Sequence, residues 1–175
     1  VKEIDALGGI MGLAADLNGI QFKTLNKTKG RAVWATRAQV DKKNYPRYIK
    51  TLINNDKNIM TLEDEVYDIV VKKNKLKGLK LRKTGTIKTS AAIITCGTFL
   101  NGLIHIGFNN YQAGRMGEKG SYGLTEALIK NGLRSGRLKT GTPPRISKKS
   151  INLSLCEEAP GDKKPSFFSI FSGKP

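Results

Sequence analysis

Between Glu65 and Gly97 the chain alternates extended segments with turn residues, and this run constrains the fold more than any other. Glu65 to Lys72 carries Val66, Ile69, Val70 and Val71, as a strand would, and Lys73-Asn74-Lys75 is polar turn material. Leu76 to Arg82 alternates apolar residues with Lys77, Lys80 and Arg82, the pattern of a strand with one wet face, and Gly85 marks another turn. Ser90-Ala91-Ala92-Ile93-Ile94-Thr95-Cys96-Gly97 is apolar and ends in Gly, which predicts a buried parallel strand whose carboxyl end meets a ligand. Hairpin, turn and Gly-terminated strand in this order suit the β structure beside the FAD of two-dinucleotide flavoproteins. On pattern alone they suit an ordinary β-meander equally well.

The rest of the chain surrounds this run with helical and irregular segments. Ile4, Leu7, Met11, Ala14 and Leu17 fall at helical spacing and Gly19 follows as a stop. Gly8, Gly9 and Gly12 lie inside that stretch, so it is either packed closely against another backbone or a ligand, or broken. Gly19 to Asn26 reads as extended and Lys27 to Arg37 as a loop. A helix is expected from about Gln39 to Asn54, with Pro46 tolerable only near its start. Ile59-Met60-Thr61-Leu62 is a short strand candidate.

Leu100 to Gly120 is rich in glycine. Ser121 is expected to cap a helix running to Asn131, with Gly132 as its stop, and a helix start there could also receive a phosphate. Arg137 to Arg145 forms a rigid turn with three cations, Arg137, Lys139 and Arg145, beside Thr140 and Thr142. From Ile151 the chain is irregular, and Phe167, Phe168 and Phe171 are expected to dock on whatever follows.

Charge bears on partners. The net charge is +17, and Ile69–Ser90 and Ala127–Leu155 each hold seven or more Lys and Arg without one acid. Such a field attracts polyanions, nucleic acid above all, although solvated Lys on strands and loops would produce the same count. With hydrophobic residues at 38% and charged ones at 26% the chain is expected to fold as one domain with a core. No apolar run approaches the ~20 residues of a membrane span, so no membrane partner is expected. The chain lacks a starting Met and closes on no obvious element, and both ends are expected to be cuts in a longer protein.

Cys96 and Cys156 lie far apart, and neither they nor His105 stand at zinc-ligand spacing, so no metal is expected and a reducing, cytoplasmic setting is the default. His105, between two Ile, fits a buried structural imidazole better than a catalytic one. Cys96 fits an inert buried thiol.

Several motifs carry a resemblance. Glu3-Ile4-Asp5-Ala6-Leu7-Gly8-Gly9, Gly19-Ile20-Gln21-Phe22, Leu25-Asn26 through Lys29-Gly30, Arg37-Ala38-Gln39-Val40-Asp41, Gly97-Thr98-Phe99-Leu100, Ile104-His105-Ile106-Gly107 and Gly114-Arg115-Met116-Gly117-Glu118 occur in that order. They end in the ten-residue run Gly136-Arg137-Leu138-Lys139-Thr140-Gly141-Thr142-Pro143-Pro144-Arg145. Together, from Lys2 to Ile146, they resemble the tRNA uridine 5-carboxymethylaminomethyl modification enzymes, the MnmG/GidA family.

The resemblance implies an α/β, FAD/NAD(P)-binding fold of the two-dinucleotide, glutathione-reductase-like class, here partial and with a β-hairpin or meander insertion. It implies a partial FAD-binding domain over residues 1–150, with 151–175 beginning the next segment. It implies a homodimer working with an MnmE-type GTPase on the wobble uridine of tRNA, with FAD as cofactor and NADH and methylene-tetrahydrofolate as co-substrates. By position Val66 and Ser121 match FAD-contacting residues of the family, and Gly97 and Thr98 are expected to meet the same cofactor. Arg115, Arg137, Lys139 and Arg145 match its active-site and tRNA-facing motifs, as cofactor, anion or RNA contacts. No catalytic acid or base is assigned, and the family's reactive cysteines lie outside these motifs.

Departures accompany the match. The chain holds no G-x-G-x-x-G fingerprint, no nicotinamide-binding region and no helical partner-binding domain, while Arg31 stands where Pro is usual and Thr28 where Ser is. Two other readings stay open from the residues: a related folate- and FAD-dependent tRNA uridine methyltransferase, and a basic RNA-binding module without cofactor. The run at Gly136 argues against the methyltransferase, and the glycine-rich loops have no role in a bare RNA-binding module.

Overall fold

The computed structural model describes residues 1–115 and 117–173, which form mixed α/β structure in two compact units. The first unit comprises Val1–Thr61 together with the residues from Pro144 onward, and the second comprises Leu62–Pro143.

In the first unit the expected opening helix is broken. Helix α1 (Lys2–Ala6) and helix α2 (Met11–Leu17) are separated by a turn at Gly8, whose φ of +85° favours glycine. Close packing accompanies the break. A Cβ on Gly9 would lie 2.3 Å from Ile4 Cγ2, and one on Gly12 would lie 2.9 Å from Asp5 Oδ1. The break dissolves the apolar stripe: Ala14 is buried, while Ile4, Leu7, Met11 and Leu17 are exposed.

Strand β1 (Gly19–Leu25) pairs antiparallel with strand β2 (Ala35–Val40), from Leu25↔Ala35 to Gly19↔Val40. The second half of the expected loop is therefore a strand, and Gln39 and Val40 belong to it rather than to the following helix. Helix α3 (Asn44–Asn55) starts later because the Asp41 carboxylate accepts the N–H groups of Lys43 and Asn44, both at 2.7 Å. Pro46 thus falls in the first turn, where its missing N–H costs nothing.

The C-terminal stretch returns to this unit. Phe167 packs edge-on against Phe22, ring centroids 5.1 Å apart, so this aromatic docks back on β1 and not on a later segment. Phe168 and Ser169 donate their N–H groups to Asp16, and Ile170 donates to Asp5, which is 2% exposed. Asp162 accepts from Thr24 N–H and pairs with Lys27 Nζ, each at 2.8 Å.

The second unit is built on an antiparallel meander of strands β3 (Val66–Lys72), β4 (Lys75–Leu81) and β5 (Gly85–Lys88). The expected Lys73-Asn74 turn is the two-residue loop of β3–β4, closed by Lys72↔Lys75, with φ of 49° and 57° at the two turn residues. Helix α4 (Leu124–Lys130) packs on β3 and buries Leu124 and Ala127. A second hairpin pairs strand β6 (Leu103–Ile106) with strand β7 (Asn109–Gln112).

Two expected strands do not form. Ser90–Gly97 is irregular and its Ile93 is 92% exposed, while Ile59–Leu62 is irregular with Met60 open to solvent. Neither has a neighbouring strand among the described residues, and apolar composition cannot complete a ladder by itself.

Candidate functional site

The loop Gly97–Gly102 gathers most of the residues singled out above. Gly97 turns the chain at a φ of +56°, and Phe99 N–H bonds back to Cys96 carbonyl at 3.2 Å. The Phe99 carbonyl then accepts from Gly102 N–H (3.3 Å) and Ser121 N–H (2.9 Å), while Asn101 N–H donates to the Ser121 carbonyl at 2.9 Å. Ser121 is thereby zipped to the loop as a short parallel bridge with Leu100.

Ser121 does not cap α4. Gly123 occupies that place at a φ of +101°, and the Glu126 carboxylate reaches back to its N–H at 3.1 Å. The close approach to Tyr67 explains the glycine, since a Cβ there would lie 2.9 Å from the Tyr67 carbonyl oxygen. Gly132 does end the helix as expected, with a φ of +90° and Leu133 N–H bonded to Leu128 carbonyl at 3.1 Å.

The segment Ala113–Gly123 returns alongside the loop. Thr98 Oγ1 donates to Gly114 carbonyl at 3.3 Å, and Gly114 has no room for a side chain, since a Cβ would meet the Phe99 ring at 2.0 Å. Arg115 pairs with Glu118 across a tight turn, which leaves this cation neutralised. Val66 lies next to the same loop through its neighbour, because Glu65 accepts Tyr122 N–H at 3.2 Å and Arg82 donates to Tyr122 carbonyl at 3.1 Å.

Asn101 joins three parts of this arrangement. Besides its bond to Ser121, its carbonyl accepts Arg137 Nη1 at 2.9 Å and its side-chain amide donates to Glu126 at 2.7 Å. The Asn101 amide, with the N–H groups at the helix start, holds the Glu126 carboxyl below its ordinary range. Asn101, Glu126 and Arg137 line an open cleft of about 330 Å³, walled also by Gly102, Leu103, Gln112 and Tyr122. The Tyr122 hydroxyl is buried without a partner, against Gly120, where a Cβ would come within 2.6 Å of it.

The second unit therefore brings together Val66, Gly97, Thr98, Ser121, Arg115 and Arg137 along one loop system. Lys139 follows in an exposed irregular stretch, and Arg145 belongs to the first unit. The N–H groups of Gly97 and Thr98 have no acceptor among the described residues. A turn with free N–H groups can take a phosphate oxygen.

His105 is exposed in β6 opposite Asn110 and not buried, and Cys96 is only half-buried. Among the described residues no cluster of His, Cys, Asp or Glu could hold a metal, and no helix is long and apolar enough to cross a membrane. Asn101, Gln112, Tyr122 and Glu126 were not singled out from sequence. The Asn101-Gly102 turn dipeptide and the three-residue step from Gly123 to Glu126 are the signals that point to two of them.

Comparison with known proteins adds to this geometry. Residues 1–174 match the family model described as glucose inhibited division protein A. The chain is 51% identical over 174 residues to the tRNA uridine 5-carboxymethylaminomethyl modification enzyme MnmG of Sulfurihydrogenibium sp. (strain YO3AOP1), covering 98% of this chain and 28% of the relative. It is 46% identical over 172 residues to the enzyme of the same name from Aquifex aeolicus (strain VF5), again 98% of this chain and 28% of the relative. The solved structure of Aquifex aeolicus GidA in its form II crystal superposes with a TM-score of 0.87 at 46% identity, over 98% of this chain and 28% of that one. The chain thus spans little more than a quarter of the length of the relatives it matches.

Proposed function

Because the chain belongs to the glucose inhibited division protein A family, we propose that it is part of an FAD-dependent enzyme that builds the 5-carboxymethylaminomethyl group on the wobble uridine of tRNA. In this reading the enzyme is a cytoplasmic homodimer, works with an MnmE-type GTPase, and uses NADH and methylene-tetrahydrofolate as co-substrates. Residues 1–150 belong to a two-dinucleotide FAD-binding domain, and residues 151–175 begin the segment after it.

One observation supports the reading most. Four positions expected to meet FAD, Val66, Gly97, Thr98 and Ser121, lie 55 residues apart at their extremes in sequence and yet adjoin one loop system. The free N–H groups of Gly97 and Thr98 suit a phosphate of the dinucleotide, and Gly114 lets the facing segment pack directly on the Phe99 ring of the same loop. When bound, the flavin supplies the redox chemistry, and the protein supplies position and charge. Arg137, fixed by the Asn101 carbonyl, holds a permanent cation at the cleft and can bind a phosphate or carboxylate through its remaining N–H groups. Lys139 and Arg145 serve as further RNA or anion contacts. Arg115 contributes less, since Glu118 already neutralises it.

The test is FAD titration followed by flavin absorbance and equilibrium dialysis. It is run on this chain and on this chain joined to the flanking segments of the Sulfurihydrogenibium relative. Flavin binding by the joined form, weakened by Ser121→Val or Gly97→Val, is the expected result. A joined form that binds tRNA but never flavin would return the chain to the basic RNA-binding module.

A further inference from the structure

The β6–β7 hairpin stands apart from the packing of its unit. All four residues of β7 are exposed, and Ile104 alone in β6 is half-buried. Its two-residue loop is Gly107-Phe108, with Gly107 at a φ of +58° and Phe108 at 106% relative exposure. The ring at this tip is open to solvent on both faces, as a stacking platform for a nucleobase requires.

Three observations specify the partner. Phe108 is followed by Asn109, Asn110, Tyr111 and Gln112, so carboxamides and a second ring line the strand below it. No acid occurs from Gly102 to Gly117 in a chain of net charge +17. At the hairpin base, the Leu103↔Gln112 pair walls the cleft that Arg137 also lines, and Arg137 forms no ion pair among the described residues. Four strand residues span about 13 Å, so a phosphate at the base and a nucleobase at the tip can belong to different nucleotides of one extended strand.

We infer that the β6–β7 hairpin is a prong for a single-stranded stretch of RNA, with Phe108 stacking on an unpaired base while Arg137 holds a phosphate farther along the same strand. The inference rests on the tRNA reading above and names the surface that meets the RNA. Base faces are hidden in a duplex, so an aromatic tip selects loops and splayed bases. A protein partner fits less well. A stable interface buries roughly 800 Å² on each side, and a narrow tip with one projecting ring, flanked by polar amides and free of acids, offers little of that.

The experiment compares Phe108→Ala with the unaltered 175-residue chain by fluorescence anisotropy. The two probes are a labelled anticodon stem-loop RNA and a blunt RNA duplex of equal length. Stem-loop affinity is expected to fall about 5- to 100-fold, with duplex affinity nearly unchanged. Phe108→Trp should restore binding and quench a 2-aminopurine placed in the loop. Arg137→Gln should weaken both RNAs and lower the salt slope by about one. Because Phe108 is open to solvent, circular dichroism of the Ala variant should match the parent.

Equal loss on both RNAs, or no loss on the stem-loop, overturns the prong while leaving tRNA binding in place. A Phe108→Ala variant that dissociates a dimer without altering RNA affinity gives the tip to a second copy instead. Failure of the unaltered chain to bind either RNA overturns the prong, and the tRNA reading then stands or falls with RNA binding by the joined form.

Discussion

The two units close in opposite ways. In the second, contiguous residues 62–143 meet through hairpins and one short helix, and most partners are neighbours in sequence. In the first, residues beyond 144 return to the opening sixty, and carboxylates fasten them: Asp5 and Asp16 hold the backbone of 168–170, and Asp162 holds β1 and Lys27. Acids in the second unit also grip backbone, Asp64 at Lys83 and Thr84 and Glu65 at Tyr122, but all of these partners lie within the one contiguous stretch. With acids committed to N–H groups, only four ion pairs form among the described residues, and most of the 31 Lys and Arg face outward without a counter-charge. The basic surface thus follows from how the units are fastened as well as from composition.

The contrast breaks most readily under acid. Lys27, with the Thr24 N–H, holds the Asp162 carboxyl down at about 2. Lost hydration pushes Asp64 up, but the hydroxyl and N–H of Thr84 and the N–H groups of Glu65 and Lys83 outweigh it and also leave it at about 2. Both folded values lie below the ordinary 3.8, so the stabilisation is present above that value and is lost as pH falls through about 2. Hydrogen exchange at falling pH should show β1 and the C-terminal strap opening together, while loss of Asp64 frees only the β4–β5 turn. Asp162→Asn should remove the acid step at β1 and the strap, leaving that of Asp41 at the start of α3 and that of Asp64 in the second unit. Simultaneous opening of both units in that variant would defeat the comparison.

Smaller effects sharpen it. Asp16→Ala orphans the N–H groups of Phe168 and Ser169 and should cost about 2–3 kcal/mol, read as lost amide protection in residues 167–172 with β3–β5 unchanged. Gly123→Ala places a Cβ against the Tyr67 carbonyl at a positive φ and should cost about 1–3 kcal/mol, confined to the second unit and visible as a lower urea midpoint there. Asn74→Gly relaxes a left-handed turn residue and should change stability by less than about 1 kcal/mol, seen as a slightly higher midpoint.

What could be read from sequence follows the range of the interactions. The β3–β4 hairpin was legible because Lys73-Asn74 and the alternation around it are local signals. The break at Gly8 was legible as one of two alternatives, and both proved present at once, a turn and a close packing. Strand β2 was missed because Lys29, Gly30 and Arg31 made the stretch look like loop, while its partner β1 lies ten residues upstream. Ser90–Gly97 misled in the reverse direction, since an apolar run states burial but not the neighbour that must supply a ladder. Of the expected cofactor and anion contacts, Gly97, Thr98, Ser121 and Arg137 fall in one loop system. Asn101, which joins Ser121, Arg137 and Glu126, depends on contacts spanning 20 to 36 residues that no local pattern carries.

That same junction bears on how the protein ages. Asn101 precedes Gly102, a pair prone to deamidation when the glycine N–H is free to attack the side-chain amide. Here the N–H is engaged by the Phe99 carbonyl and the amide by Glu126, so succinimide formation must wait for the loop to open. Conversion to aspartate would then set a carboxylate against Glu126 and loosen the hold on Arg137. Isoaspartate at this position, followed by peptide mapping over storage time, would act as a slow chemical clock for excursions of the loop.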